Sequence, residues 1–447
     1  MLRLRDQQAM LWDPVLPPGA KVLSEELVAI DSLLDDERFM APFVERFNTR
    51  IGRPTIPIES YLRLMYLKHR YQLGYETLVR EVADSLSWRR FCRLSLDVEV
   101  PHSTTLLKLT RRFGPEVVEQ LNEAALKTAV ERKLLRSRRL RVDCTVTEAD
   151  VRYPTDSGLC ADSVSRLGRA VARVKEAGLA ARTRFRNRMR TVSRIMRRLA
   201  LGLRRPGSLA NTLKETSKLR KLVGAASRQA RRVLRNAKRR TQRGGKREVA
   251  AAAGLAREIR LAERVHEQTG RRLAGETNIP ERLVSLSDLD ARPIRRGSLR
   301  KPTEFGYKVA LGDTPEGFVA AHDVHIGAPQ DTETLESVIR KAQAVGMRIC
   351  TVLADRGFGN EIADQVLATA KIVDKVIPRV GRADPIESTR SWRRRYRFRA
   401  GAEGRISALK RRYGVRRSRL KGHQGVRIWV GFGILANNLN RMAVLAR

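Results

Sequence analysis

The chain has 447 residues, 42% of them hydrophobic, enough for two or three domains with real cores. Lysine and arginine number 90 against 48 aspartate and glutamate, a net charge of +42 and a pI near 11.3. That imbalance points to a polyanionic partner. No apolar run approaches the ~20 residues of a membrane span, and Met1-Leu2-Arg3-Leu4-Arg5-Asp6 lacks a signal-peptide core, so nucleic acid is expected as the partner rather than lipid.

Residues 1–35 hold a proline-bearing lead-in (Pro14, Pro17, Pro18) and then a helical stretch from Ser24 to Leu34. Ile56 to Tyr71 carries Ile58, Leu62, Leu64, Met65 and Leu67 at helical spacing. A second helix follows Gly74, with Leu78, Val82 and Leu86 on one side, and Trp88, Phe91 and Leu94 continue the apolar pattern. Pro101-His102-Ser103-Thr104-Thr105-Leu106 reads as a helix start with Ser103 as N-cap. That helix runs through Leu107, Leu109 and Phe113 and exposes Lys108, Arg111 and Arg112. Two short helices, a break and a basic helix suit a helix-turn-helix; an ordinary helical bundle fits the same pattern. The expected unit is a helical N-terminal DNA-binding domain over residues 1–135, with Arg111 and Arg112 on phosphate.

At Leu140 the period switches to two. Leu140, Val142, Cys144 and Val146 share one face of a strand, and Arg141, Asp143, Thr145 and Thr147 the other. Asp143 therefore leaves the apolar layer and faces a polar cavity. Glu148, Asp150, Asp156 and Asp162 follow the strand rather than lying within it, and rank below Asp143 as metal ligands. Asp156 is expected to support its loop or cap a helix.

Residues 161–280 differ in kind. Between Ala181 and Ala250 stand 24 lysines and arginines and two acids, Glu215 and Glu248. Val192, Ile195, Met196, Leu199, Leu213, Leu219 and Leu222 keep an apolar stripe through that charge. Long amphipathic helices are expected, broken near Pro206-Gly207 and Gly244-Gly245, forming a basic insertion that grips DNA.

From Leu283 strand signals return, at Val284–Leu286, Tyr307–Leu311 and Phe318–Val324. Asp331 to Ala344 reads as a helix with Asp331 as its cap. Arg348 to Ala354 is apolar on both faces, as a buried central strand should be. A helix over 360–370 and a strand over 371–377 follow. Asp355 ends the central strand in Ala354-Asp355-Arg356-Gly357-Phe358. Near the C-terminus, Tyr396, Arg399, Glu403 and Lys410 are spaced so that one continuous helix would hold them within an arc of about 60°. A carboxylate flanked by a phenol, a guanidinium and an ammonium suits a metal-bound phosphodiester. Cys92, Cys144, Cys160 and Cys350 form no C-x-x-C pair and no zinc spacing with histidine, and read as reduced, structural thiols of a cytoplasmic protein. His322, His325 and His423 read as structural, and Trp392 as packing rather than base stacking.

The order strand–Asp143, strand–Asp355, helix–Glu403, with the full Tyr-Arg-Glu-Lys set, resembles bacterial insertion-sequence transposases of the DDE class. The resemblance implies an α/β ribonuclease-H-like core, a mixed five-stranded sheet with helices. That core would be split over 136–160 and 281–447 around the insertion at 161–280. It implies Asp143, Asp355 and Glu403 as catalytic metal ligands for Mg2+, with Mn2+ able to substitute, and Tyr396, Arg399, Lys410 and Lys308 as contacts to DNA. Lys308 lies in Glu304-Phe305-Gly306-Tyr307-Lys308, which is similar to a segment of these enzymes. Relatives often carry His ahead of Asn-Leu where this chain has Asn437-Asn438-Leu439. Double-stranded DNA, as element ends and target, is the implied partner, bound by a homodimer or higher assembly without membrane attachment. A silent architectural derivative and a nuclease without strand transfer are the competing functions.

Overall fold

The computed structural model describes residues 1–5, 17–48, 50–202, 208–241, 245–295, 302–381 and 384–446. Pro14, Pro206, Gly207 and Gly244 lie outside them. The chain divides into two compact units, Met1–Asp150 with Ile294–Arg447, and Val151–Pro293.

The first unit opens with α1 (Glu25–Leu34), α2 (Ala41–Val44), α3 (Ile58–Arg70), α4 (Tyr75–Asp84), α5 (Leu86–Phe91) and α6 (Ser103–Glu131). Ser24 caps α1 and Ser85 caps α5 through their hydroxyls, each accepting a backbone N–H of the first turn. Ser103 does begin α6, but the capping side chain is His102, whose ring accepts from the Thr104 N–H. The run of α6 is bent at Gly114, where φ is +79° and only glycine is unstrained, followed by Pro115.

The sheet begins with β1 (Arg139–Ala149). The second unit then holds α7 (Asp156–Glu176), α8 (Met189–Gly202), α9 (Ser208–Thr241) and α10 (Lys246–Leu273). Val192, Ile195, Leu199 and Leu219 of the expected stripe meet in its core with Val164, Leu167, Val223, Leu255 and Ile259, Met196 and Leu222 pack against it half-buried, and Leu213 is exposed instead. Thr155 caps α7, and Asp156, its first residue, pairs with Arg282 at 2.8 Å. The expected strand at Val284–Leu286 does not form. Leu283 and Leu286 are buried in this core, and the backbone of Leu283 is satisfied by the Gln268 side chain, which accepts its N–H at 3.0 Å and donates to its C=O at 3.1 Å. A buried apolar run needs backbone partners, and here one glutamine supplies what a neighbouring strand would.

The remaining elements are β2 (Arg292–Arg295), β3 (Thr303–Asp313), β4 (Val319–Ile326), α11 (Asp331–Ala344), β5 (Thr351–Leu353), α12 (Glu361–Thr369), β6 (Asp374–Val376), α13 (Arg390–Arg397), α14 (Ala400–Arg412), β7 (Arg417–Ser418) and α15 (Gly422–Leu445). Among the described residues the strands run β2-β3-β1-β5-β6, with β4 also on β3 and β7 also on β1. β1 pairs antiparallel with β3, Asp143 opposite Leu311, and parallel with β5, Leu140 opposite Val352. β3 pairs antiparallel with β4, and β5 parallel with β6. Such a mixed sheet with helices is consistent with a ribonuclease-H-like DDE domain. β5 and β6 are shorter than the apolar runs that announced them; Arg348 ahead of β5 and Lys371 and Val373 ahead of β6 are exposed. Asp331 is the first residue of α11 and not its cap; Gln330 and Glu333 form the capping box.

α15 locks the N-terminal helices onto the sheet. It packs on α6, α3 and β4, and Asn438 accepts the Val319 N–H at 2.9 Å and donates to the Val319 C=O at 3.0 Å. Asn437 donates to the Gly317 carbonyl and accepts from Arg405. His322 is buried, and His423 bonds the Val324 carbonyl. Lys68 of α3 is buried over the Trp429 ring at 3.9 Å and the Tyr75 ring at 4.6 Å, with no hydrogen-bond partner for its ammonium among the described residues.

Burial, aided by the Arg419 charge, pulls Lys68 down to about 7. Its ordinary value is 10.5, so between those limits the unfolded chain binds the proton and the folded one does not. Stability from this group is therefore lost as pH falls through about 7 and restored as pH rises toward 10.5. Lys68→Met is expected to be more stable than wild type at pH 6 by roughly 2–4 kcal/mol, after the lost ring contacts are counted. The gap should shrink by pH 10 in urea titrations; a gap independent of pH would contradict this placement of the ammonium.

Candidate active site

Asp143 lies mid-strand on β1, 8% exposed, with its Oδ1 accepting the Cys144 N–H at 2.8 Å. Asp355 lies two residues beyond β5 and accepts the Gly357 N–H at 3.0 Å, which fixes the turn that presents it. Glu403 projects from the first turn of α14, largely exposed. The three carboxylates meet at Arg399. One guanidinium nitrogen stands 3.1 Å from Asp143 Oδ2 and 3.6 Å from Asp355 Oδ2, and another 3.3 Å from Glu403 Oε1. These residues line an open cleft of about 990 Å³ together with Lys308, Asp331 and Lys410.

Burial pushes Asp143 up to about 6, opposed by Arg399 and reinforced by Asp355 and Asp331. Burial likewise raises Asp355, with Arg399 opposing and Asp331 adding to the shift. Crowded, half-desolvated carboxylates resist ionisation unless a cation joins them. Asp331 was not expected in the cleft. It appears in the sequence only as a helix-start acid, but its carboxylate pairs with Lys308 at 2.6 Å, and Lys308 also donates to the Pro329 carbonyl. No local signal marks it out; only the folded chain sets it against Lys308 of β3.

The four signature residues do not share one helix. Tyr396 belongs to α13, Glu403 and Lys410 to α14, and Arg399 stands between them. At the junction the backbone bonds tighten to three-residue spacing, Phe398 N–H to Arg395 C=O, Arg399 N–H to Tyr396 C=O and Ala402 N–H to Arg399 C=O. Tyr396 stacks on Trp392, with ring centroids 4.9 Å apart and 15° between planes. Burial raises its phenol, Arg399 opposes that, and the Asp355 and Asp143 charges add to it. Arg111 and Arg112 are exposed on α6, away from the cleft lining, and Arg112 stacks over Phe47.

Arg141, next-but-one to Asp143 on β1, holds this junction. It is buried, chelates Asp313 through two nitrogens, lies 4.7 Å over the Phe398 ring and donates to the Phe398 carbonyl at 3.2 Å. Asp313 in turn is raised by burial to about 6 against the pull of Arg141. One buried ion pair thus meets the chain at Phe398, where α13 gives way to α14, one residue before Arg399.

Among the described residues no group of three or more histidine, cysteine or acidic side chains is drawn together as a ready metal cage. The donor chemistry nevertheless suits a hard divalent cation: three carboxylates from separate elements converge on one positive charge. Burial drives the Cys144 and Cys160 thiols up, the latter to about 11, away from the thiolate form a soft metal would need.

Asp143 thus lies on the central strand, Asp355 beyond the neighbouring parallel strand and Glu403 on a late helix. Residues 283–439 match the family model of the transposase DDE domain, and residues 18–112 that of a transposase domain, DUF772. Together these matches support an insertion-sequence DDE transposase with polynucleotidyl-transferase chemistry. The uncharacterized protein ORF8 in the nfe locus of Rhizobium meliloti is 27% identical over 186 residues, 40% of this chain and 84% of that protein. No solved structure matches. No described helix is long and apolar enough to cross a membrane.

A Cβ at Gly401 would stand 1.8 Å from Arg141 Nη1, whereas one at Gly404 would meet nothing within 4 Å. Gly401→Ala must therefore push the Arg141 guanidinium off the Phe398 carbonyl, straining its pair with Asp313, or displace α14. A loss of roughly 3–5 kcal/mol is expected if the buried pair breaks. Gly404→Ala should be stabilising by about 0.5–1 kcal/mol. Equal thermal shifts for the two variants would refute the contact.

Proposed function

We propose that this protein is a DNA transposase that binds the terminal inverted repeats of an insertion sequence, cleaves strands at the element ends and joins the freed ends to target DNA. The observation that carries the reading is the convergence of Asp143, Asp355 and Glu403 on Arg399. Asp143, Asp355 and Glu403 would hold Mg2+, with Mn2+ able to substitute, and the bound cation would activate the attacking oxygen and neutralise charge on the leaving one. Arg399, already the counter-ion of the acids, can fork onto a phosphate oxygen. Lys410 offers a second positive charge at the same cleft. Lys308, neutralising Asp331, keeps a cation on the cleft wall where a strand would lie. Tyr396, stacked on Trp392, presents its hydroxyl to a phosphate or to the cleaved end.

End recognition is assigned to the helices preceding the sheet, with Arg111 and Arg112 on phosphate. The two short helices α3 and α4 and, after a break, the basic helix α6 are the helix-turn-helix of this reading. Because two element ends must be held together, a homodimer or higher assembly on DNA is part of the proposal, as is action in the bacterial cytoplasm.

Replacing Asp143, Asp355 or Glu403 singly by alanine should lower strand cleavage of labelled element ends by roughly three orders of magnitude or more. End binding in a mobility-shift assay should persist. Cleavage retained in all three variants would discard the site, and loss of binding in all three would show that the acids serve structure instead.

A further inference from the structure

We propose that the outer face of α8, with the segment leading into it, is a docking surface for the phosphate backbone of duplex DNA. The inference rests on duplex DNA being the partner, as argued above, but not on the chemistry of the cleft.

Between Ala181 and Gly202 stand eight arginines and no acid. α8 buries Val192, Ile195 and Leu199 in the core of its bundle. Arg190, Arg194 and Arg197 are exposed on the opposite side. At 100° per residue these three fall within an arc of about 60°, and they span about 10 Å along the helix axis. Duplex DNA carries one phosphate per ~3.4 Å of each strand, so that span covers roughly three successive charges.

The charge on this face is uncompensated. Among the described residues, the ion pair made by an arginine of the 181–202 segment is that of Arg198 with Glu215, at 3.5 Å. Arg188 turns instead to the neutral Gln229, and burial together with Arg186 and Arg228 holds its guanidinium below the ordinary arginine range. Elsewhere in the same bundle arginines are paired: Arg166 with Glu258 at 2.7 Å, Arg231 with Glu263 at 2.6 Å and Arg271 with Glu276 at 2.8 Å. Sequence charge alone does not separate these two kinds of arginine; the packing of α9 and α10 does.

The chemistry excludes a lipid surface as the better fit. An interfacial helix must offer its apolar face, and that of α8 is spent on the bundle core. A run of like charges at one-turn intervals, with no exposed aromatic among Arg190, Arg194 and Arg197, fits regularly spaced phosphates read without base specificity.

The test uses the full chain in EDTA on a fluorescent duplex of arbitrary sequence, with affinity measured between about 50 and 200 mM salt. The triple variant R190Q/R194Q/R197Q should make the slope of log affinity against log salt shallower by about 2–3, at ~0.9 per lost phosphate contact. R231Q/R257Q/R271Q removes the same charge from arginines that pair with glutamates, and should change the slope by less than about 1. Arg194→Glu alone, a milder change for folding, should still reduce the slope by about 1. A wild-type slope in the first triple, or equal flattening by both triples, overturns the proposal for this face. Absence of any salt-dependent duplex binding by the wild-type chain would overturn the DNA partner and this face with it.

Discussion

Three carboxylates share one guanidinium in the cleft, and the rest of the first unit is arranged so that they can. Asp143 is carried to the centre by a strand buried on both faces, Asp355 by the neighbouring parallel strand, and Glu403 by a helix that follows a tightened turn. Each acid alone would be an unremarkable charge. Burial in a half-desolvated space holds Asp143 up near 6, the Asp355 and Asp331 charges add to that, and Arg399 among the acids opposes it. An arrangement that concentrates negative charge around a removable cation is also one that can accept a harder, doubly charged one.

Arg399 is placed by Arg141 rather than by its own helix. The Arg141–Asp313 pair is buried, bidentate and capped by the Phe398 ring and carbonyl. It joins β1, the end of β3 and the α13–α14 junction at one point. The strand that delivers the first acid therefore also delivers the residue that orients the third. Buried pairs of this kind contribute little net stability but are costly to break, so their effect is felt as geometry. Lys308 and Asp331 form a second ion pair in the lining of the same cleft.

The parts of this arrangement that follow local rules were legible in the sequence. The alternation of Leu140 to Thr147 placed Asp143 off the apolar layer, and the two-sided apolar run before Asp355 announced a central strand. The amphipathic stripe through the basic insertion announced a packed bundle, now seen as α7 to α10. The parts that follow tertiary rules were not. Tyr396, Arg399, Glu403 and Lys410 fit one helical face by spacing, yet the chain tightens to a turn at Phe398 and Arg399, where Arg141 also bonds the Phe398 carbonyl. Val284 to Leu286 looked like a strand because buried apolar runs usually are, and only the fold shows Gln268 meeting the backbone of Leu283 just ahead of it where a strand partner would. Asp331 looked like a cap because nothing local reveals that Lys308 stands opposite. Paired and unpaired arginines are likewise indistinguishable until the helices are packed.

The central claim is that Asp143, Asp355 and Glu403 form one cation site now answered by Arg399. Crystals of the protein soaked in Mn2+ and measured at the manganese absorption edge test it most directly. The account predicts an anomalous peak bound by Asp143 and Asp355 oxygens with the Arg399 guanidinium withdrawn from between them. Manganese bound elsewhere, with Arg399 still bridging the three acids at saturating metal, would contradict it.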